Sequence, residues 1–157
     1  MPRHLPLGAH EVRVWTFDIQ SSTDRNLAFR GESEKVWKGK VEAAKVDIKF
    51  HNLDLLQVSN LEFSKFMSTW LIMLDTDHLP YSQPFEREWM NRLLQMGDFS
   101  GLVLLDDIKL NAEMEKWWKE LQDKATERGY KTYDLTSVGH FSGTGLLDFS
   151  GKVKIVE

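Results

Sequence analysis

The chain has 157 residues, 41% of them hydrophobic, which is the size and apolar content of one ordinary domain with a single buried core. A formal charge of −4 and a pI near 5.7 exclude nucleic acid as the expected partner, because neutralising a phosphate backbone needs clustered Lys and Arg. The absence of cysteine excludes disulfides and thiolate metal sites and fits a reducing, cytoplasmic setting, and no run of about eighteen apolar residues or secretory leader is present to suggest a membrane.

Residues 1–10 carry Pro2, Pro6 and Gly8 and read as an irregular arm; residues 11–157 are expected to form one α/β domain. Val12, Val14, Trp15 and Phe17 predict a strand over Glu11–Ile19 that ends at Asp18, and the polar stretch Gln20–Arg30 predicts a loop. Val36, Trp37, Val41 and Ala44 fall at helical spacing within Glu34–Ala44, although Gly39 weakens that helix. Val46, Ile48 and Phe50 alternate with polar residues, predicting a half-buried strand over Val46–Leu53 closed by Asp54. A short helix over Asn60–Met67 with Asn60 as its N-cap follows, and then the apolar run Trp70–Leu74, which reads as a central strand buried on both faces.

Phe85, Trp89, Leu93 and Met96 predict a helix stopped by Gly97, and Gly101–Leu105 a further buried strand ending in Asp106 and Asp107. Met114, Trp117, Trp118, Leu121 and Ala125 mark an amphipathic helix from Asn111 to Arg128, closed by Gly129. These aromatic residues, with Phe85 and Trp89, read as core. Tyr130–Leu135 and Thr144–Phe149 read as a strand pair, extended by Lys152–Val156, and the Gly-rich segment Ser137–Gly145 leads into a strand rather than a helix, so it reads as a tight β connection and not a phosphate loop. Alternating strands and helices imply a largely parallel sheet with an antiparallel element at its C-terminal end.

The expected strands end in acidic residues, Asp18, Asp54, Asp75 and the pair Asp106–Asp107. In open α/β sheets ligands bind beyond the carboxyl ends of the strands, so these carboxylates would share one rim; each also has an ordinary reading as a turn or N-cap residue. Asp75, Asp106 and Asp107 on adjacent strands can surround one hard cation, Mg²⁺ or Ca²⁺, with positions left for a diol or catechol-like ligand. His78 and His140 are candidate general bases, against the ordinary reading of a histidine in a surface loop.

The runs Leu71–His78 and Gly101–Ile108, separated by a helix, are similar to the fourth- and fifth-strand motifs of class I S-adenosylmethionine-dependent methyltransferases, in particular the branch of cephalosporin-hydroxylase-like proteins and metal-dependent O-methyltransferases. The resemblance covers nearly everything from Glu11 onward. It implies a Rossmann-like methyltransferase fold, Mg²⁺ held by Asp75, Asp106 and Asp107, and S-adenosylmethionine bound with its ribose at Asp18 and its adenine near Asp54. It further implies a small-molecule substrate whose hydroxyl accepts the methyl group. The family opens with a strand and a Gly-x-Gly-type loop, and no such segment precedes Glu11. That first strand normally sits between the second and the fourth, so three resolutions stay open: a fragment, direct pairing of those two strands, or completion by a partner chain. The rival reading is a non-catalytic binding or assembly module that forms a homo-oligomer through an exposed sheet edge; a weaker third is hydroxylation or hydrolysis at the metal site.

Overall fold

A computed structural model of the chain describes residues 12–18, 46–76 and 83–155, in two compact units, Met1–Leu55 and Leu56–Glu157. The expected arm, the loop at Gln20–Arg30, the helix at Glu34–Ala44 and His78 lie outside the described residues. In the first unit β1 (Val12–Asp18) and β2 (Val46–Asn52) pair in parallel, with Val12 opposite Val46 and Asp18 opposite Asn52. Both strands fall where the β-branched and aromatic runs placed them.

The second unit begins with α1 (Asn60–Phe63), which passes into a 3-10 turn over Ser64–Ser68. The cap is Ser59 rather than the expected Asn60. Ser59 Oγ accepts from the Glu62 amide at 3.2 Å while the Ser59 amide donates to Glu62 Oε2 at 3.0 Å, a reciprocal capping box. Asn60 is instead engaged by Arg92, whose guanidinium donates to Asn60 Oδ1 at 2.8 Å and to the Val58 carbonyl at 2.7 Å. The same guanidinium lies 4.4 Å from the Phe63 ring centre, fastening α1 to the next helix.

Four strands follow, β3 (Leu71–Leu74), β4 (Leu102–Leu105), β5 (Lys131–Asp134) and β6 (Gly145–Asp148), in the order β3-β4-β6-β5. β3 and β4 are parallel, whereas β6 runs antiparallel to both of its neighbours. The sheet is therefore mixed rather than largely parallel: three of its strands point one way, yet two of its three ladders are antiparallel because β6 is inserted between β4 and β5. The C-terminal antiparallel pair is as expected. Among the described residues β3 corrects the expectation of a central strand, since it ends the four-stranded order and its Met73 side chain is 61% exposed. Within this four-stranded sheet the strand covered on both faces is β6, all four of whose residues are buried.

Two helices pack beside this sheet. In α2 (Gln83–Met96) Glu86, Trp89, Met90, Leu93 and Leu94 are buried, and in α3 (Ala112–Glu127) Met114, Trp117, Trp118, Leu121 and Ala125 are buried. Each set recurs at three- and four-residue steps and so forms one helical face. Asn111 caps α3 by accepting from the Glu113 and Met114 amides, and a Schellman turn closes it, Tyr130 N donating to the Ala125 carbonyl and Gly129 N to Thr126. Trp89 and Phe63 make a ring contact at 5.3 Å near the centre of this core. The expected continuation of the last strand over Lys152–Val156 does not form in the described part of that range. Asp148, only 1% exposed, accepts from the amides of Ser150, Gly151 and Val153, which turns the chain away after β6.

Candidate metal centre

Strand direction decides what gathers at one end of the sheet. Leu74 of β3 is opposite Leu105 of β4, and the Asp106 amide donates to the Leu74 carbonyl at 3.0 Å, so Asp75 and Asp106 leave neighbouring strands at the same rim. Asp134 of β5 is opposite Gly145 of β6, and Gly145 is opposite Leu105. The carboxyl ends of β3, β4 and β5 thus share that rim with the start of β6. The β5–β6 connection, Leu135–Thr144, lies over it as a necessary result.

That connection is bound to the loop after β4. Ile108 N donates to the Gly143 carbonyl at 3.1 Å and Lys109 N to the Ser142 carbonyl at 2.7 Å. Gly143 makes the approach feasible: its φ is +97°, and a Cβ there would sit 2.7 Å from Ile108 Cγ1 and 3.0 Å from the Lys109 amide nitrogen. At Gly145 a Cβ would meet the Trp118 ring at 2.8 Å, so β6 packs directly on α3. The Gly-rich segment is accordingly a chain of turns, its glycines required by close packing.

The two joined loops bring Asp106, Asp107 and His140 together, one ligand atom from each lying within 4.8 Å of the others. Donors on opposite sides of an ion, each about 2.1–2.4 Å from it, are separated by roughly that distance. Asp106 and Asp107 are half-buried and His140 exposed. Asp107 holds a positive φ of 58°, a backbone state that Asp adopts more readily than most residues. Ser142, 4% exposed, sits between two of these groups: its hydroxyl donates to Asp107 Oδ1 and lies 2.6 Å from His140 Nδ1. His140 Nδ1 is also 3.5 Å from Asp107 Oδ1.

Lys109 is the cation closest in sequence, and it is directed elsewhere, its Nζ 2.7 Å from Asp134 Oδ2. Burial pushes the Asp134 carboxyl up, but hydrogen bonds from Lys109 and Thr136, with the Lys109 charge, outweigh it and hold that group below the ordinary carboxylate range. Phe141, 85% exposed, and Val138, also exposed, flank His140, with the Phe141 and His140 rings 4.6 Å apart.

Of the residues expected at the site, Asp106, Asp107 and His140 are assembled. Asp75 is exposed at the same rim but outside that group. Asp54, half-buried, follows β2 in the first unit; Asp18 ends β1 there, and its side chain is not among those described. Ser142 was missed, because it gives no signal in a Gly-rich segment. Outside the group, Glu86, 0% exposed, stands one turn before Trp89, Met90 and Leu93 on the apolar stripe of α2. Thr76, just past β3, donates to Glu86 Oε1 at 2.8 Å.

The donor set fits a divalent cation. Two carboxylates supply hard oxygen, and the imidazole in place of a third carboxylate favours Mn²⁺, which binds oxygen yet accepts a nitrogen ligand more readily than Mg²⁺ does. Among the described residues no helix is long and apolar enough to cross a membrane. Comparison of the chain with protein-family models, with curated proteins and with solved structures finds no match.

Proposed function

We propose that this chain is a Rossmann-like, methyltransferase-type domain that uses a divalent cation to direct methyl transfer from S-adenosylmethionine to a hydroxyl of a small molecule. The convergence of Asp106, Asp107 and His140 at the carboxyl end of β4 carries the reading. The motif resemblance of Leu71–His78 and Gly101–Ile108, and the antiparallel pair at the C-terminal end of the sheet, support it further. The motif resemblance alone assigns Asp18 and Asp54 to the cofactor.

Asp106, Asp107 and His140 would hold the divalent cation, which would supply the Lewis acidity that lowers the pKa of a substrate hydroxyl. The protein's own contribution is placement. Asp106 and Asp107 bring negative charge to a rim where Lys109 is already neutralised by Asp134. Phe141 and Val138 offer apolar surface beside the polar centre, the combination by which a site grips the hydrocarbon part of a ligand while polar groups orient it.

Calorimetric titration of the full chain with Mn²⁺ and with Mg²⁺ tests the centre. Saturable binding in the wild type and none in the double variant Asp106→Ala, Asp107→Ala is the expected result. Wild-type protein that binds neither ion, or a double variant that binds both unchanged, overturns the reading. A further titration with S-adenosylmethionine then tests the methyl-transfer half of it, with saturable binding expected.

A further inference from the structure

The hydroxyl of Ser142 has one proton to give. Toward the Asp107 carboxylate it can only donate, because an ionised carboxylate has no proton to share. Its 2.6 Å contact with His140 must then run the other way, with the ring nitrogen donating and the hydroxyl oxygen accepting. Nδ1 therefore carries hydrogen in the neutral ring, and the lone pair is at Nε2. The 3.5 Å approach of Nδ1 to Asp107 Oδ1 favours the same arrangement, since a carboxylate attracts an N–H and repels a lone pair.

We propose that Ser142 is a positioning residue that relays the Asp107 carboxylate to His140 and fixes the imidazole as its Nδ1–H tautomer, so that Nε2 is the nitrogen offered to a cation or a substrate proton. Free histidine in water favours the opposite tautomer, so the relay changes which nitrogen is available. Ser142 suits this task because it is buried, where water cannot easily replace its partners, and because its backbone carbonyl is held by the Lys109 amide at 2.7 Å. Orientation of a ligating histidine through its second nitrogen is a general device of metal sites.

The functional weight of this inference rests on the metal reading above; the tautomer does not, so the two fail separately. The test is long-range proton–nitrogen NMR of the nitrogen-15-labelled full chain at a pH where the ring is neutral, with the His140 signals assigned by their loss in His140→Gln. The expected spectrum has a pyrrole-type Nδ1 and a pyridine-type Nε2 for His140. Ser142→Ala should shift the ring to a mixture in which the Nε2–H form predominates, and Ser142→Thr, which keeps the hydroxyl, should restore the wild-type pattern. An Nε2–H ring in the wild type overturns the inference without any variant. A Ser142→Ala spectrum unchanged from wild type overturns the role of Ser142 and assigns the effect to Asp107 alone. Where Mn²⁺ binds the wild type, Ser142→Ala should weaken it by about tenfold, the usual cost of removing such a partner.

Discussion

The ends of β3 and β4 are alike in sequence and unlike in surroundings. Each is a short apolar run, Leu71–Leu74 or Leu102–Leu105, followed at once by an aspartate, and the two strands are parallel neighbours in matched register. Beyond β4 the chain meets a facing loop that supplies His140 and Ser142, and Asp106, Asp107 and His140 are brought together. Beyond β3, Asp75 is exposed outside that group, and Thr76 instead contacts a buried helix residue, Glu86. A carboxylate at the end of a strand is therefore not enough. The centre depends on the antiparallel insertion of β6, which brings the Leu135–Thr144 connection over β4.

The most damaging way to break this contrast is to pry the two loops apart. Gly143→Ala places a side chain at a φ of +97° and against Ile108 and the Lys109 backbone. Strain at a positive φ and overpacking should together lower stability by about 2–4 kcal/mol. The urea midpoint would report the loss. Mn²⁺ binding should fall with it in the fraction that remains folded, because His140 and Ser142 would no longer face Asp107.

A third strand-ending aspartate sharpens the comparison. Asp148 closes β6 at the opposite end of the sheet and is buried, its two carboxylate oxygens accepting from Ser150, Gly151 and Val153. Burial alone raises its pKa, and these hydrogen bonds outweigh the burial and hold it below the ordinary range. Asp148→Asn sets an amide N–H₂ against at least one backbone N–H and should cost about 1–3 kcal/mol at pH 7. A folded-state pKa below the unfolded value, about 3.9, means that this stabilisation is present above that value and is lost as pH falls through the folded pKa. The difference in urea midpoint between wild type and Asp148→Asn should accordingly stay level from pH 7 to 5 and shrink at pH 3. A constant difference down to pH 3 would show that the carboxylate charge contributes nothing to the turn.

Much of this was legible in the residues. The helices announced themselves by the spacing of Phe85, Trp89, Leu93 and Met96 and of Met114, Trp117 and Leu121, and the strands by their apolar runs, because periodicity is a local property that tertiary structure rarely overrides at that strength. Sheet order was not legible. Nothing local to Leu71–Leu74 or Gly145–Asp148 says which strand will lie at an edge, so β3 was expected to be central when the doubly covered strand is β6. The same gap separated His140 from Asp106 and Asp107: all three were recognised as chemical candidates, but their meeting depends on strand order. The exchange of Asn60 for Ser59 at the cap has a different origin, since the competing partner, Arg92, is distant in sequence.

The smallest effect should come from the β3 end, and it separates structure from chemistry. Thr76→Val preserves shape and removes the hydroxyl that donates to Glu86 Oε1 at 2.8 Å. Glu86 is fully buried, so loss of one hydrogen bond to its carboxyl group should cost about 1–2 kcal/mol, read again as a lowered urea midpoint. Its cation affinity should match the wild type, because neither Thr76 nor Glu86 belongs to the Asp106–Asp107–His140 group. If Thr76→Val instead weakened Mn²⁺ binding while leaving stability unchanged, the end of β3 would be part of the centre after all, and the division between the two strand ends would fall.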